Sequence, residues 1–133
     1  HDMFLIAHMG DPRVNVSGPA RMLPIARTFP KLRCIAAHLG NWGDWDPEKI
    51  RPLTRLSNVY TDISSSFSYV QDKGPLYEIL REYDPSHVFF GSDYPIWCPK
   101  KELQKALALG LEPSFLEDIL FRNFAKFYHY RPL

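Results

Sequence analysis

The sequence predicts an α/β fold built on a parallel sheet, either half of an eight-stranded barrel or a small open sheet. Three observations lead there. Residues 3–7, 32–37, 59–63 and 88–91 are short, nearly continuous apolar runs bounded by turn residues, which is how strands buried on both faces read. Helix-like segments separate them, so strand and helix alternate at roughly 25 to 30 residues per unit. A complete barrel of this kind needs about 250 residues, and the sequence has 133.

Each helix carries its own signals. Ser17-Gly18-Pro19 opens the first, and Pro24 so soon afterwards predicts a short or kinked turn. Asp46 before Pro47 is an N-cap with a first-turn proline, predicting a helix to about Leu56 that Pro52 distorts. Residues 76–83 are helical by propensity and stop before Asp84-Pro85. Residues 100–109 end at Gly110, a normal C-cap. Ser114 with Glu117 reads as a capping box for the last helix. Phe115, Leu116, Ile119, Leu120, Phe124, Phe127 and Tyr128 then form one apolar stripe at helical period.

Composition narrows the function classes. A net charge of +1 with scattered basic residues argues against nucleic acid and anionic membrane surfaces as partners. No apolar run approaches the roughly 18 residues of a membrane span. No secretory leader is legible, because the apolar start breaks at His8. Cys34 and Cys98 make neither a disulfide framework nor a zinc-finger spacing, and the expected compartment is the cytoplasm. The sequence opens on His1 rather than Met, so a longer parent chain is one of two readings, an added His1-Asp2 before Met3 the other.

The chemistry lies where the runs end. In parallel α/β architectures, reactive side chains sit at the C-terminal ends of strands. The first run closes on His8, followed by Met9-Gly10-Asp11, and the second on His38, followed by Leu39-Gly40. The third closes on Asp62 and Ser64-Ser65-Ser66, and the fourth on Gly91-Ser92-Asp93. Imidazole nitrogen and carboxylate oxygen are the ligands of a catalytic divalent metal that keeps one position open for water. His8, His38 and Asp93 are therefore expected to converge on one face.

The segments FPKLRCIAAHLGNWGDWD, NVYTDISSS, VFFGSDYPIWCPKKEL and ILFRNFAKFY resemble the amidohydrolase-related (amidohydrolase 2) family, which includes the aminocarboxymuconate-semialdehyde-decarboxylase-like enzymes. The resemblance covers nearly the whole chain, and AHLG and GSDYP are its most specific parts. It implies a metal-dependent (β/α)8 TIM barrel, with residues 1–133 as the C-terminal half of one barrel domain carrying strands five to eight. It implies that His8 is a metal ligand, that His38 acts as acid/base or second-metal ligand, and that Asp93 binds metal and handles the proton of the attacking water. The metal expected for such ligands is zinc, with manganese as the second choice. The family's His-x-His of the first strand and the fourth strand's contribution are absent, and Asn41 stands where Gly is common.

Other readings stand beside these. His8 and His38 can be core histidines, and Asp93 can simply cap the turn before Pro95. His87 precedes its strand and reads as structural, while His129 closes the last helix. Trp42, Trp45, Tyr94 and Trp97 follow strand ends and can wall a substrate pocket or pack. Asp11 and Arg13 can meet a carboxylate, and Asp62 with Ser64, Ser65 and Ser66 can hydrogen-bond across the pocket floor. The leading expectation is hydrolysis of a small molecule by metal-activated water. The alternatives are non-oxidative decarboxylation of a small carboxylic acid, and a non-catalytic half-barrel serving binding or assembly. Either way the half needs the missing N-terminal half or another chain, a second copy included.

Overall fold

A computed structural model describes residues 3–11, 13–14, 16–67 and 70–130, so His1 lies outside it. The four apolar runs become β1 (Phe4–Ala7), β2 (Arg33–Ala36), β3 (Val59–Asp62) and β4 (Val88–Phe89). They form one parallel sheet in the order β1-β2-β3-β4, with Phe4 opposite Arg33, Cys34 opposite Val59 and Thr61 opposite Val88. Between and after them run α1 (Pro19–Thr28), α2 (Pro47–Thr54), α3 (Gly74–Glu82) and α4 (Pro99–Leu107). This is the parallel α/β arrangement expected from the spacing, and the half-barrel that the family resemblance implies has the same four strands.

Strand alternation divides the apolar residues between two faces. Leu5, Cys34, Ala36, Val59 and Val88 pack on the helices, against Met22, Ala26, Ile50, Leu53, Leu76, Ile79 and Ala106. The residues of opposite parity, Phe4, Ile35, Tyr60 and Phe89, make a second cluster closed by Phe127. Phe127 meets Phe4 edge-on at 5.1 Å and Phe89 at 5.2 Å, and Arg33 lies 4.4 Å from its ring centre. Thus the N-terminal end of this inner face is plugged by the C-terminal helix. Nearer the strand C-termini, Ile6 is 59% exposed.

Several helix expectations need correction. Both prolines are tolerated: α1 continues through Pro24 and α2 through Pro52, although α2 stops at Thr54 rather than Leu56. The carbonyls deprived of a partner, those of Ala20 and Glu48, are on exposed residues where water can take the bond. The Asp46 cap forms, its side chain accepting from the Glu48 N–H at 3.0 Å. The capping box does not. Pro113 takes the first position of α5 (Pro113–Glu117), which puts Ser114 inside the helix and leaves Glu112 as N-cap.

The last helix is also interrupted. A π turn (Asp118–Arg122) separates α5 from α6 (Asn123–Phe127). Here the Asn123 N–H skips to the Asp118 carbonyl, which frees the Ile119 carbonyl to accept from the Phe90 N–H at 2.8 Å. Asn123 adds side-chain bonds to the carbonyls of Pro85 (2.7 Å) and Val88 (2.9 Å). A bulge that satisfies a strand at the expense of one helical bond is a familiar use of π geometry. His87 is structural, as expected, with its Nδ1 3.0 Å from the Val59 carbonyl and its ring against Tyr60. No helix among the described residues is long and apolar enough to cross a membrane.

Gly10 provides a sharp test of how the loops after β1 and β2 interlock. Its φ is +79°, and an added Cβ would lie 2.5 Å from the Trp42 nitrogen and 2.6 Å from the Trp42 oxygen. Neither obstacle is a side chain that can swing away. Gly10→Ala is expected to cost about 3 kcal/mol, combining left-handed strain with overpacking. Gly110→Ala, at φ +67° with nothing within 4 Å, should cost about 1 kcal/mol from the backbone alone. Denaturant unfolding of the two variants of the full-length protein measures the difference, and equal losses would refute the interlock.

Candidate active site

The loops after β1 and β2 bring His8 and His38 into contact. His8 Nδ1 lies 3.0 Å from His38 Nε2, with ring centres 4.9 Å apart. His8 is exposed and His38 is buried. The sheet continues to the edge of the site through the Ala37 N–H, which donates to the Ala7 carbonyl at 3.0 Å. There the chain turns sharply, with His38, Leu39 and Gly40 all at positive φ (62°, 54° and 86°). For non-glycine residues this conformation costs about 1 to 2 kcal/mol each, and such strain concentrates at functional sites. Gly40 has a steric reason as well, since a Cβ would meet the Tyr83 hydroxyl at 2.9 Å. That hydroxyl is buried, and burial pushes its pKa up.

The ring of His38 is oriented by the loop after β3. Its Nδ1 lies 3.0 Å from the Ser64 carbonyl and 2.9 Å from Ser64 Oγ. A carbonyl can only accept, so Nδ1 carries the proton and Nε2 presents its lone pair to His8. Asp62 organises that loop: its Oδ1 accepts from the His38 N–H at 3.3 Å, the Ser64 N–H at 2.9 Å and the Ser64 hydroxyl. Close approach of the neighbouring strand exit is allowed by Gly91, where a Cβ would sit 3.1 Å from Ser64 Cβ and 3.3 Å from Asp62 Cγ.

Asp93 follows β4, also at positive φ (56°). Its Oδ2 accepts from Ser65 Oγ at 2.6 Å, and Ser65 Oγ accepts from the Trp97 indole N–H at 2.9 Å. The structure therefore joins His8 to His38 directly and connects Asp93 to them through adjacent residues of one loop. Asp62, Ser64 and Ser65 rank higher here than their sequence suggested, although Asp62 closes its run as Asp93 closes the next.

The four candidate pocket aromatics separate by environment. The Trp42 ring lies 6.4 Å from that of His8. Trp45 donates its indole N–H to the His38 carbonyl at 3.0 Å and packs against the helix-side core. Trp97 braces Ser65, and Tyr94 stands 75% exposed. Arg13 is not waiting for a carboxylate, since its guanidinium forks onto Asp11 at 2.9 and 2.8 Å. The Arg13 hydrogen bond holds the Asp11 carboxyl down to about 2. A cleft of about 540 Å³ beside them is lined by Asp11, Arg13, Asn41, Asp44 and Lys49.

The donor set can be tested against a divalent ion. Two nitrogens bound to one zinc at about 2.0 to 2.1 Å lie about 3.3 Å apart at the tetrahedral angle. The observed 3.0 Å between His8 Nδ1 and His38 Nε2 is near that spacing, as His38 in the role of ligand would need, and is also the length of the hydrogen bond that leaves His38 in the role of acid/base. However, the described residues contain no group of three His, Cys, Asp or Glu spaced to hold a metal. The chain's own donors fit part of a metal shell and do not close one.

Comparisons with known proteins agree with this architecture. An uncharacterised TIM-barrel protein from Bordetella bronchiseptica matches with a TM-score of 0.79 at 20% identity, over 96% of this chain and 46% of that one. A dihydroxybenzoic acid decarboxylase from Polaromonas sp. JS666, solved with bound manganese and the inhibitor 2-nitroresorcinol, matches with a TM-score of 0.67 at 14% identity. That match covers 86% of this chain and 40% of that one. A Pseudomonas putida protein bearing the name 2-pyrone-4,6-dicarboxylic acid hydrolase matches with a TM-score of 0.69 at 14% identity, over 88% and 51%. The chain thus spans about half the length of these structures or less. A sequence comparison with curated proteins finds no match. The family model described as amidohydrolase matches residues 1–130, and the chain belongs to that family.

Proposed function

We propose that this chain supplies the C-terminal half, strands five to eight, of the barrel of a metal-dependent hydrolase acting on a small molecule. The observation that carries the reading is the 3.0 Å contact of two strand-end histidine nitrogens beside the strained turn at His38. His8 and Asp93 would hold the metal, zinc first and manganese second, with remaining ligands from outside this chain. A bound divalent ion lowers the pKa of water enough to make a nucleophile near neutral pH. Asp93, its Oδ2 already steadied by Ser65, would receive the proton of the attacking water. His38, its Nδ1 held by the Ser64 carbonyl, would take a proton from solvent at Nε2 and pass it to the substrate's leaving atom. Trp42 stands beside His8 as a pocket wall, and Tyr94 would cover substrate as the opposing half closes over it. Trp45 and Trp97 brace the site's rim. The free thiols of Cys34 and Cys98 suit a cytoplasmic setting.

The full-length protein should lose activity on chelation and regain it with zinc or manganese. Full activity at verified metal depletion would overturn the reading. The second reading is decarboxylation of a small carboxylic acid, favoured by the likeness to the manganese-holding decarboxylase. Carbon dioxide release, without hydrolysis of esters, amides or lactones, would select it.

A further inference from the structure

We propose that Ser64 and Ser65 act as a positioning pair, with opposite hydroxyl polarity, that sets His38 and Asp93 relative to each other. The inference rests on the metal-site reading above and deepens it. The loop after β3 lies between β2, which delivers His38, and β4, which delivers Asp93. Adjacent serines on that loop turn to opposite sides, Ser64 to His38 at 2.9 Å and Ser65 to Asp93 at 2.6 Å. Ser65 achieves this from a left-handed backbone (φ 55°), a conformation that a loop with no task at that position has no reason to keep. Both serines are buried, so neither hydroxyl is simply solvated.

A hydroxyl is free to rotate unless a third group fixes it, and here each serine has one. The Asp62 carboxylate can only accept, so it takes the Ser64 proton and leaves Ser64 Oγ to share the His38 Nδ1–H with the Ser64 carbonyl. The Trp97 indole can only donate, so it fills a lone pair on Ser65 Oγ and directs the Ser65 proton to Asp93. The 2.6 Å length of the latter is that of a charge-assisted O–H to carboxylate bond. Asp62 and Trp97 thus assign the two hydroxyls their roles. Ser64 presents an acceptor to the His38 imidazole, and Ser65 presents a donor to the Asp93 carboxylate.

Outer partners of metal ligands typically change affinity by about 10 to 100-fold when removed. The test is calorimetric titration of the metal-depleted full-length protein with manganese alone, together with its melting temperature. Ser65→Ala and Ser65→Gly both lose the hydroxyl, but glycine is at ease at φ 55°, so a loss of affinity shared by the two cannot come from backbone strain. Both are expected to bind manganese about tenfold more weakly or worse. Trp97→Phe should weaken binding less, because Ser65 can still find Asp93. Wild-type affinity in Ser65→Gly, beside a defective Asp93→Asn, would overturn the positioning role alone. Wild-type affinity in both His8→Ala and Asp93→Asn would overturn the underlying site and this role with it.

Discussion

Asp93→Asn in the complete enzyme should lower turnover by a factor on the order of a hundred or more. The substitution replaces an oxygen donor and proton acceptor with a neutral amide of nearly the same shape. Little else should change. Asparagine tolerates the left-handed backbone that Asp93 adopts, so the turn leading to Pro95 has no new steric reason to move. Ser65 can still donate to the remaining amide oxygen, which keeps the side chain in place. The expected signature is a collapse of kcat in a protein that melts within a few degrees of wild type. A variant that keeps more than about a tenth of wild-type kcat would remove Asp93 from the reaction.

The second large effect concerns assembly. Expressed alone, the 133 residues should not behave as a stable, active monomer. In the described sheet β1 pairs only with β2, and β4 only with β3, so two strand edges are open. Closed barrels have no such edges, and open apolar ones invite pairing with other chains. The inner face compounds the problem, with Ile6 59% exposed towards the strand C-termini. Sedimentation velocity should find self-association or aggregation, relieved by co-expression with a complementary four-stranded half. A soluble, zinc-loaded, active monomer would contradict both the edge argument and the incomplete metal shell.

Much of this architecture could be read along the chain, for a physical reason. Strands buried on both faces leave a continuous apolar trace, and residues 3–7, 32–37, 59–63 and 88–91 all became strands or strand ends. The meeting of His8 and His38 was legible because each closes such a run on neighbouring strands. What could not be read depends on tertiary partners. The π turn exists because Phe90, nearly 30 residues earlier, needs the Ile119 carbonyl, and nothing local to that helix announces it. Ser114 lost its capping role to Pro113, one residue away, where two local signals competed and proline's rigid φ prevailed. Ser65 was one of three identical residues, and only the geometry of Asp93 and Trp97 distinguishes it.

The left-handed residues at His38 and Asp93 have an evolutionary consequence. A lineage under pressure only for thermal robustness would gain by placing glycine at either position, since it relieves about a kilocalorie per mole of backbone strain. Every such gain would erase a group that the chemistry uses. Directed evolution that screens for heat resistance without screening turnover should therefore drift first into these strand exits, trading a working catalyst for a more durable scaffold.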